Sequence, residues 1–164
     1  KDNGLWNTEI QKIMKKYAPK GFKGVFSIDE IGKIPIKSTD KSISFIMNTE
    51  PSNVIDGHWV GIYIGDGNLE YYDPFGMEPS EEFREKIKKL LKKLGKKFQF
   101  KINKIRYQRS NSTNCGWFSM KFLVDRYKGK SFKESTGFDK ITKVMKGENE
   151  IKKFKESLND FDYI

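Results

Sequence analysis

The sequence contains one cysteine and one histidine, Cys115 and His58, among its 164 residues. A single cysteine excludes an intramolecular disulfide and favours a reducing compartment. One histidine and one cysteine cannot supply the usual ligands of a zinc site, and the chain lacks the glycine patterns that bind nucleotide phosphates. We therefore expect neither a metal nor an organic cofactor.

Long apolar runs are also missing. None approaches the roughly 18 residues of a membrane span, and the N-terminus shows no signal-peptide pattern. The chain begins at Lys1 rather than Met, as a processed or trimmed form would. Without an internal repeat, a proline-rich linker or a break in composition, we expect one monomeric domain over residues 1–164, with no membrane partner.

Acidic residues are too few to balance the basic ones. The chain has 32 lysines and arginines against 22 aspartates and glutamates, which gives a net charge of +10. A surplus of this size attracts polyanions, chiefly nucleic acid and secondarily an anionic membrane surface. The alternative is a soluble protein whose composition is simply rich in lysine.

Apolar periodicity and turn residues predict both helices and strands. Helical spacing marks residues 8–17, 80–94 and 115–127, with weaker signals near 138–145 and 150–158. Strand-like alternation marks 42–47, 58–64, 69–72 and 98–107, whereas glycine, proline and serine make 21–39 loop-like. The helix at 115–127 is apolar on almost every side, so we expect it to be central and buried. These elements predict an α+β fold whose mainly antiparallel sheet packs against that helix.

Cys115 follows a polar loop and begins this apolar helix. A helix N-terminus presents unpaired N–H groups and a partial positive charge, which favour the nucleophilic thiolate. The same N–H groups can face an oxyanion, and Gly116 permits close approach. Gln108, in the loop before Cys115, can add a side-chain amide donor, or it is an ordinary loop residue. The alternative for Cys115 is a structural core cysteine, since free cysteines are commonly buried.

His58 and Asp73 lie on the two arms of the clearest predicted hairpin. With the turn centred between residues 65 and 66, a strict two-residue register places them opposite each other. An imidazole can take the thiol proton, and a carboxylate beside it can hold the ring and stabilise the imidazolium. For Asp73 the alternative is simple Asp-Pro turn chemistry. The competing carboxylates are Asp56, Asp66 and Glu70.

Two segments carry a family pattern: GHWVGIYIGDGNLEYYDPFG (57–76) and QRSNSTNCGWFSMKFL (108–123). The pattern is His-Trp on a strand, an acid followed by Pro-Phe-Gly, then Gln, a polar loop with Asn-Ser, and Cys-Gly. In this order the sequence resembles the adenain family of viral maturation proteases, including virophage and Polinton-type capsid proteases. More distantly, it resembles the Ulp1-like SUMO proteases. The close resemblance covers about residues 43–76 and 105–123.

The resemblance implies an adenain/Ulp1-like cysteine protease fold and a role for each matching residue. Cys115 would attack the scissile carbonyl, and His58 would accept the thiol proton and return it to the leaving amine. Asp73 would orient His58. Gln108 and the backbone N–H of Cys115 would bind the oxyanion.

The resemblance also implies a substrate and a compartment. The expected function is cleavage of viral capsid precursors after Gly-containing motifs, within the virion and the host cell. The alternatives are a protease for ubiquitin-like or SUMO-type modifiers, and a catalytically dead DNA-binding module. A narrow cleft would explain a preference for glycine, and Trp59 and Trp117 are candidate walls of that cleft or else core residues.

Adenain-type enzymes suggest two activators. One is DNA, and the other is a viral peptide that adenain binds through a disulfide to a second cysteine. Because Cys115 is the sole cysteine, only a non-covalent viral peptide fits this chain. The candidate DNA-binding residues crowd one predicted helix and its end, for which a solvated helix face is the alternative. They are Lys88, Lys89, Lys92, Lys93, Lys96 and Lys97.

Overall fold

The structure is a computed structural model that describes residues 6–17, 20–54, 57–95, 97–103, 114–136 and 144–158. In chain order its elements are α1 (Asn7–Tyr17), β1 (Phe22–Ser27), a 3₁₀ helix (Ile28–Lys33), β2 (Ile43–Asn48), β3 (Trp59–Gly65), β4 (Asn68–Tyr72), α2 (Glu81–Lys92), β5 (Gln99–Ile102), α3 (Cys115–Tyr127), α4 (Phe132–Thr136) and α5 (Val144–Ser157). This mixture of helices and strands confirms the expected α+β class. The predicted limits of α1, α3 and the β3–β4 hairpin agree closely with the structure.

The five strands form one sheet in the order β1-β2-β3-β4-β5. β3 pairs antiparallel with β2 and β4, but the outer pairs, β1–β2 and β4–β5, are parallel. The expectation of a mainly antiparallel sheet is therefore wrong for the outer strands. Parallel neighbours need a crossover connection rather than a tight turn. The 3₁₀ helix and its loop supply the first crossover, and α2 supplies the second.

β1 and the 3₁₀ helix occupy segment 21–39, which the sequence predicts to be a loop. The pairing register of β1 is offset between Phe22 and Val25, and Gly24 between them has a φ of 131°. An extra residue in one strand interrupts the two-residue alternation of side chains. The alternation that would mark this edge strand in the sequence is consequently missing.

Three other limits differ from the prediction. α2 is shorter than predicted, and β5 ends at Ile102 although its predicted strand continued to residue 107. α4 was not predicted, while α5 covers most of the helix expected at 150–158 and begins within the one expected near 138–145. Residues 104–113 and 137–143 lie outside the described residues. Within the part of the chain that the structure describes, no helix is long and apolar enough to cross a membrane.

Both faces of the sheet are covered. One face packs against α1, α3 and α5 through a buried cluster rich in aromatic residues, which includes Tyr63, Tyr72, Trp117, Phe118 and Phe122. The other face packs against α2 and the 3₁₀ helix through a second cluster, which includes Phe45, Ile62, Leu69, Phe83, Ile87 and Leu90. A sheet covered on both sides buries its central strands completely, and β2 is buried at every position.

α3 lies very close to β3 at Gly61. A Cβ atom on Gly61 would be 3.2 Å from both the Phe122 ring and the Ser119 carbonyl oxygen. The Ser119 hydroxyl also donates to the Trp59 carbonyl oxygen at 3.2 Å. The missing side chain at Gly61 lets the helix rest directly on the strand. This contact brings the N-terminus of α3 to the beginning of β3, where the candidate site lies.

Candidate active site

His58 immediately precedes β3, in a segment held by β2. The Thr49 N–H donates to the His58 carbonyl oxygen at 2.8 Å, which extends the antiparallel pairing of Asn48 with Trp59. A Cβ atom on Gly57 would overlap the buried Asn48 side chain, so this close approach requires glycine. The backbone is therefore fixed both before and at His58, which sets the position of the imidazole.

Asp73 follows β4 and contacts the imidazole directly. Its Oδ1 lies 2.6 Å from His58 Nε2, and only 4% of the Asp73 side chain is exposed. The same Oδ1 accepts the Phe75 N–H at 2.8 Å, and the Gly76 N–H donates to the Asp73 carbonyl oxygen. The Asp-Pro-Phe-Gly turn thus orients the carboxylate. Turn formation and contact with His58, weighed as alternatives from the sequence, occur together.

The predicted hairpin register needs one correction. The structure pairs Gly65 with Asn68 and Gly61 with Tyr72, so the two-residue turn is Asp66-Gly67. This turn lies one residue later than the centre assumed from the sequence, because Asp66 itself adopts a positive φ of 51°. His58 and Asp73 are therefore not directly opposite in the ladder. Their side chains meet beyond the ends of both strands.

The Phe75 ring covers one face of the imidazole. The two ring centroids are 4.6 Å apart, and the rings are inclined by 25°. This stacked arrangement, with the Asp73 contact at the ring edge, limits rotation of the His58 side chain. Phe75 belongs to the Pro-Phe-Gly segment of the sequence pattern, but its contact with His58 was not predicted.

Asn103, directly after β5, is a buried residue of the site that the sequence analysis missed. Its Oδ1 accepts the Asp73 N–H at 2.8 Å, and its Nδ2 donates to the Asp73 carbonyl oxygen at 2.6 Å. One amide side chain therefore pairs with both backbone polar groups of Asp73. Parallel pairing of β4 with β5 sets this position, since Tyr71 is the partner of Ile102. A lone asparagine in a polar stretch carries no sequence signal for such a role.

Cys115 is the first residue of α3, and its thiol is buried beside the start of β3. The Trp59 N–H points at Cys115 Sγ, with 3.4 Å between the nitrogen and the sulfur. The residue is 9% exposed. Cys115 therefore meets the same short stretch of chain that carries His58, as the order of motifs in the sequence suggested.

The electrostatics of His58 follow from these neighbours. Burial lowers the pKa of His58, but hydrogen bonds and charge interactions with Asp73 and Cys115 outweigh it and raise this pKa to about 9. Because Nε2 is bonded to Asp73, Nδ1 is the ring nitrogen that is left available to the Cys115 thiol. The arrangement favours a protonated His58 ring, an imidazolium, at neutral pH.

The structure does not bring every candidate residue to this place. Gln108 and Asp56 lie outside the described residues. Asp66 lies in the hairpin turn at the other end of the sheet. Glu70 is paired with Arg126, with 2.8 Å between Oε1 and Nε, so it has a different partner from His58. Among the described carboxylates, Asp73 is the one that contacts His58.

The three candidate cleft residues have different surroundings. Gly116 is buried in the first turn of α3. Trp117 is 5% exposed and belongs to the apolar cluster under α3, so it is a core residue rather than a cleft wall. Trp59 is half-buried and packs against the edge of that cluster. Trp59 thus remains the tryptophan that can border a cleft.

The candidate DNA-binding lysines lie on α2 or directly after it, and α2 packs on the opposite face of the sheet from α3. α2 begins after the Asp73 turn and runs to the other end of the sheet, where the Gln99 N–H bonds to the Gly67 carbonyl oxygen. Lys96 lies outside the described residues. The remaining five are exposed and form no ion pair within the described part of the chain: Lys88, Lys89, Lys92, Lys93 and Lys97.

Metal ligation has no candidate in the described residues. No three or more histidine, cysteine, aspartate and glutamate side chains within them are grouped as a metal site would require. The polar side chains gathered here are a thiol, an imidazole, a carboxylate and an amide. That combination fits nucleophilic acyl transfer by a thiol with an adjacent base.

The five-stranded sheet, with a cysteine at the tip of the central helix, is the fold of the Ulp1-like class. The chain matches the model of the Ulp1 protease family, C-terminal catalytic domain, over residues 7–164, and it belongs to that family. This match confirms the resemblance to Ulp1-like and adenain-like proteases that the two sequence segments indicated. Comparison with the curated proteins gave no match.

Solved structures share the fold at low sequence identity. The ASFV pS273R protease has 18% identity and a TM-score of 0.66, over 89% of this chain and 65% of that one. The SUMO protease Ulp1 has 16% identity and a TM-score of 0.54, over 81% of this chain and 72% of that one. The chain thus spans about two thirds of the length of the ASFV protease. At these identities the likeness demonstrates the fold.

The single imidazole allows a direct test of the proposed electrostatics. We expect the ring protons of His58 to titrate near pH 9 in NMR spectra, and to shift toward 6.5 in Asp73→Asn, which removes the carboxylate charge. Asp66→Asn, in the exposed turn, is the matched control and should leave the titration unchanged. A wild-type midpoint near 6.5 would contradict the assigned contacts.

The raised pKa of His58 also makes the free energy of unfolding depend on pH. Since the folded pKa of about 9 exceeds the ordinary 6.5, protonated His58 adds stability that is full below pH 6.5 and is lost as the pH rises through 9. The free energy of unfolding of wild type relative to His58→Gln should therefore decline across that interval. Chemical denaturation at pH 6, 7.5 and 9 measures it.

Replacing Asn103 should weaken the support of Asp73. Asn103→Ala leaves the buried N–H and carbonyl of Asp73 without this partner, which costs about 1–3 kcal/mol of unfolding free energy. The His58 pKa should fall as well, because the carboxylate is no longer held against the ring. Urea denaturation and NMR titration measure both effects. Asn53→Ala, at an exposed position, is the control, and equal behaviour of the two variants would refute the assignment.

Proposed function

We propose that this protein is a cysteine endopeptidase with Cys115 as nucleophile, His58 as proton carrier and Asp73 as orienting carboxylate. The observation that carries the proposal is the position of His58. Its ring is bonded to Asp73 at 2.6 Å on one nitrogen and lies by the buried Cys115 thiol, at the tip of α3, on the other side. Nucleophile, base and base-orienting group are the three parts that covalent acyl transfer requires.

The acylation step follows from these positions. The Cys115 thiolate attacks the scissile carbonyl carbon, a C–S bond forms, and the carbonyl π electrons move to oxygen as an oxyanion. When the oxyanion collapses, the C–N bond breaks and the imidazolium of His58 gives its proton to the leaving amine. The products are a thioester on Cys115, a free amine and a neutral imidazole, whose orientation Asp73 maintains.

Hydrolysis of the thioester restores the enzyme. Neutral His58 takes a proton from water, the resulting hydroxide attacks the thioester carbonyl, and the C–S bond breaks. Cys115 leaves as a thiolate beside the imidazolium, and the carboxylic acid product departs. A His58 pKa near 9 favours the ion pair between cycles, because it keeps the ring protonated at neutral pH.

Oxyanion binding is assigned to the N-terminus of α3 and to Gln108. The first-turn N–H groups of a helix lack intrahelical partners, and the N–H of Cys115 is among them. Gln108 would add the side-chain amide that the resemblance implies. Gly116, adjacent to the nucleophile, keeps this approach free of a side chain, and Trp59 would border the cleft.

Viral capsid precursors are the substrate class we favour, with cleavage after Gly-containing motifs. The support is the Asn111-Ser112 pair before the nucleophile and Pro74-Phe75-Gly76 after the acid, as in the adenain family. A viral protease, from ASFV, shares the fold. On this proposal the enzyme works as a monomer in the reducing interior of the host cell and in the virion, where the thiol stays reduced.

A modifier protease is the second candidate function. The Ulp1 protease domain, which shares this fold with a TM-score of 0.52, was solved in complex with Smt3, the yeast ortholog of SUMO. The proposed chemistry at Cys115 would be identical, and only the surface around the cleft would select the substrate. Family membership supports this candidate and the first candidate equally.

Two activators complete the proposal: DNA and a non-covalent viral peptide. The support for DNA is the net charge of +10 and the row of exposed lysines on α2 and directly after it. Lysines without carboxylate partners can neutralise phosphates, with release of counterions and without sequence preference. For the peptide, the sole cysteine restricts binding to non-covalent contacts, of which strand addition to a sheet edge is one form.

Cleavage assays should identify the nucleophile and rank the substrates. We expect wild type to cut a Gly-containing capsid-precursor peptide and Cys115→Ala to cut nothing, since the thioester cannot form. Asp73→Asn should lower kcat by roughly 100-fold or more, as loss of an oriented proton carrier does. A SUMO precursor is tested as a substrate in parallel. Preference for that precursor favours the modifier protease, and cleavage that persists in Cys115→Ala excludes the mechanism.

DNA binding can be tested by titrating labelled duplex DNA at several salt concentrations. We expect affinity to fall as salt rises, and to weaken when Lys88, Lys89, Lys92, Lys93 and Lys97 are changed to Gln, because phosphate contacts are lost. A variant of equal charge is the control, with Lys15, Lys33, Lys128, Lys133 and Lys152 changed to Gln. Binding that is absent at low salt, or insensitive to salt, would overturn the idea.

A further inference from the structure

The last turn of α3 meets a row of three side chains that crosses the sheet. Ser44 on β2 and Glu70 on β4 are both direct partners of Tyr63 on β3, so the three side chains lie next to one another on one face. All three residues are buried. We call this set the polar row, because the face around it packs against α3 mainly through apolar residues.

Arg126 joins α3 to the polar row. Its Nε donates to Glu70 Oε1 at 2.8 Å, and its Nη2 donates to Glu70 Oε2 at 3.1 Å. Its third nitrogen, Nη1, donates to the Lys130 carbonyl oxygen at 2.6 Å, and the guanidinium carbon lies 4.4 Å from the centre of the Tyr63 ring. Only 1% of the Glu70 side chain is exposed. Burial raises the pKa of Glu70, a shift that Arg126 opposes. A bidentate pair of this kind fixes direction as well as distance.

Tyr127, the next residue, makes a second connection to the polar row. Its hydroxyl is hydrogen-bonded to the Ser44 hydroxyl on β2. Its ring meets the Tyr63 ring edge to face, with 5.8 Å between the centroids. Two consecutive residues at the end of α3 therefore contact β2, β3 and β4.

The helix runs along β3 from the polar row to the candidate nucleophile. Alternate residues of the strand contact successive parts of the helix: Trp59 contacts Cys115, Gly61 contacts Ser119, and Tyr63 contacts Arg126. Cys115 and Arg126 are about 17 Å apart along the helix axis, at 1.5 Å per residue. Because backbone hydrogen bonds keep this length nearly constant, a shift of α3 at the polar row also moves Cys115.

We propose that Glu70 and Arg126 are positioning residues that fix α3 along β3 and thereby set the separation between the Cys115 thiol and the His58 ring. This inference rests on the proposed function. Apolar packing is non-directional, so the cluster beneath α3 tolerates small shifts of the helix, whereas the buried ion pair specifies one register. A displacement of about 1 Å from a reactive geometry can lower a rate roughly 100-fold.

A double replacement separates positioning from stability. Glu70→Leu combined with Arg126→Met removes both charges together, and apolar replacement of a buried ion pair often leaves stability unchanged or raises it. Urea denaturation should therefore give an unfolding free energy at least equal to that of wild type. In the same variant we expect kcat to fall about 10- to 100-fold with little change in KM, because Cys115 is displaced and the substrate surface is not altered.

The matched control removes a different ion pair from α3. Lys121 Nζ lies 2.6 Å from Asp125 Oδ2, and this pair joins two residues of the helix to each other. Lys121→Met combined with Asp125→Leu should therefore leave kcat at the wild-type value.

NMR titration of His58 provides a readout that needs no substrate. Contacts with Asp73, and next with Cys115, raise the pKa of His58. Withdrawal of the thiol should therefore lower the midpoint in the Glu70→Leu/Arg126→Met variant and leave it unchanged in the control. Tyr127→Phe removes the bond to Ser44 without leaving a buried charge unpaired. It should lower kcat and the midpoint in the same direction by a smaller amount, and it decides the question if the double variant does not fold.

The measurements also separate this inference from the proposed function. A folded double variant with the wild-type kcat or the wild-type His58 midpoint would overturn the positioning role, as would an equal loss of kcat in the control. If wild type cuts neither the capsid-precursor peptide nor the SUMO precursor, the proposed function is in error, yet the His58 midpoint still decides whether the pair positions Cys115. If wild type and the double variant cut a peptide equally well, the function holds and the positioning role fails.

Discussion

The contact between α3 and β3 at Gly61 is the constraint on which the candidate site depends. Cys115 and His58 are far apart in sequence, and they meet because a helix end and a strand end are pressed together. A Cβ on Gly61 would already be 3.2 Å from the helix backbone and from Phe122, so larger side chains would lift α3 from the sheet. The 3.4 Å approach of the Trp59 N–H to Cys115 Sγ would then be lost. The hydrogen bond from Ser119 to the Trp59 carbonyl fixes the same contact along the strand. Glycine in the middle of a strand is unfavourable in itself, and close approach of another backbone is a physical reason for it.

With α3 in place against β3, hydrogen bonds and charge interactions determine the chemistry that the site favours. Burial disfavours a charged imidazole, whereas the charge of Asp73 and the thiol favour it, and the second effect is larger. Asp73 is held in place for this interaction by its hydrogen bonds. Its Oδ1 contacts His58 Nε2 and accepts the Phe75 N–H, and the Asn103 side chain bonds to both the N–H and the carbonyl oxygen of Asp73. Burying a charged group without such hydrogen-bond partners is costly. The support of the His58 ring therefore extends from the hairpin to β5.

Local sequence patterns predicted the elements of this site, and non-local pairing decided the details. The apolar segment after Cys115 was sufficient to predict a buried helix with the cysteine at its tip, and the hairpin around Gly65 to Asn68 was evident from its turn residues. The turn was predicted one residue too early, which shifted the predicted register by two residues, because Asp66 as well as Gly67 takes a positive φ. β1 was not predicted because its bulge at Gly24 interrupts the alternation of apolar and polar side chains. The parallel outer pairs were not predicted because they depend on crossover connections, about which the periodicity of the sequence says nothing. Asn103 was not predicted for a related reason. It acts through Asp73, which is distant in sequence, and asparagine is not a distinctive residue type by itself.

The geometry also limits how a polyanion on α2 could affect the proposed chemistry. The exposed lysines Lys92, Lys93 and Lys97 lie at the end of α2 or between it and β5, and the first residue of β5, Gln99, bonds to Gly67 in the β3–β4 turn. Cys115 and His58 lie at the other end of a sheet whose strands span about 17 Å. A phosphate bound there cannot touch a peptide at the thiol. Two routes remain. Binding could tether enzyme and substrate to one polymer, which raises their effective concentration and leaves the site unchanged. Alternatively, binding could displace the segment between α2 and β5 and so move Asn103, which follows β5 and hydrogen-bonds to Asp73. Only the second route would alter the pKa of His58, since only it moves the carboxylate, so that pKa measured with and without DNA distinguishes a tether from a conformational activator.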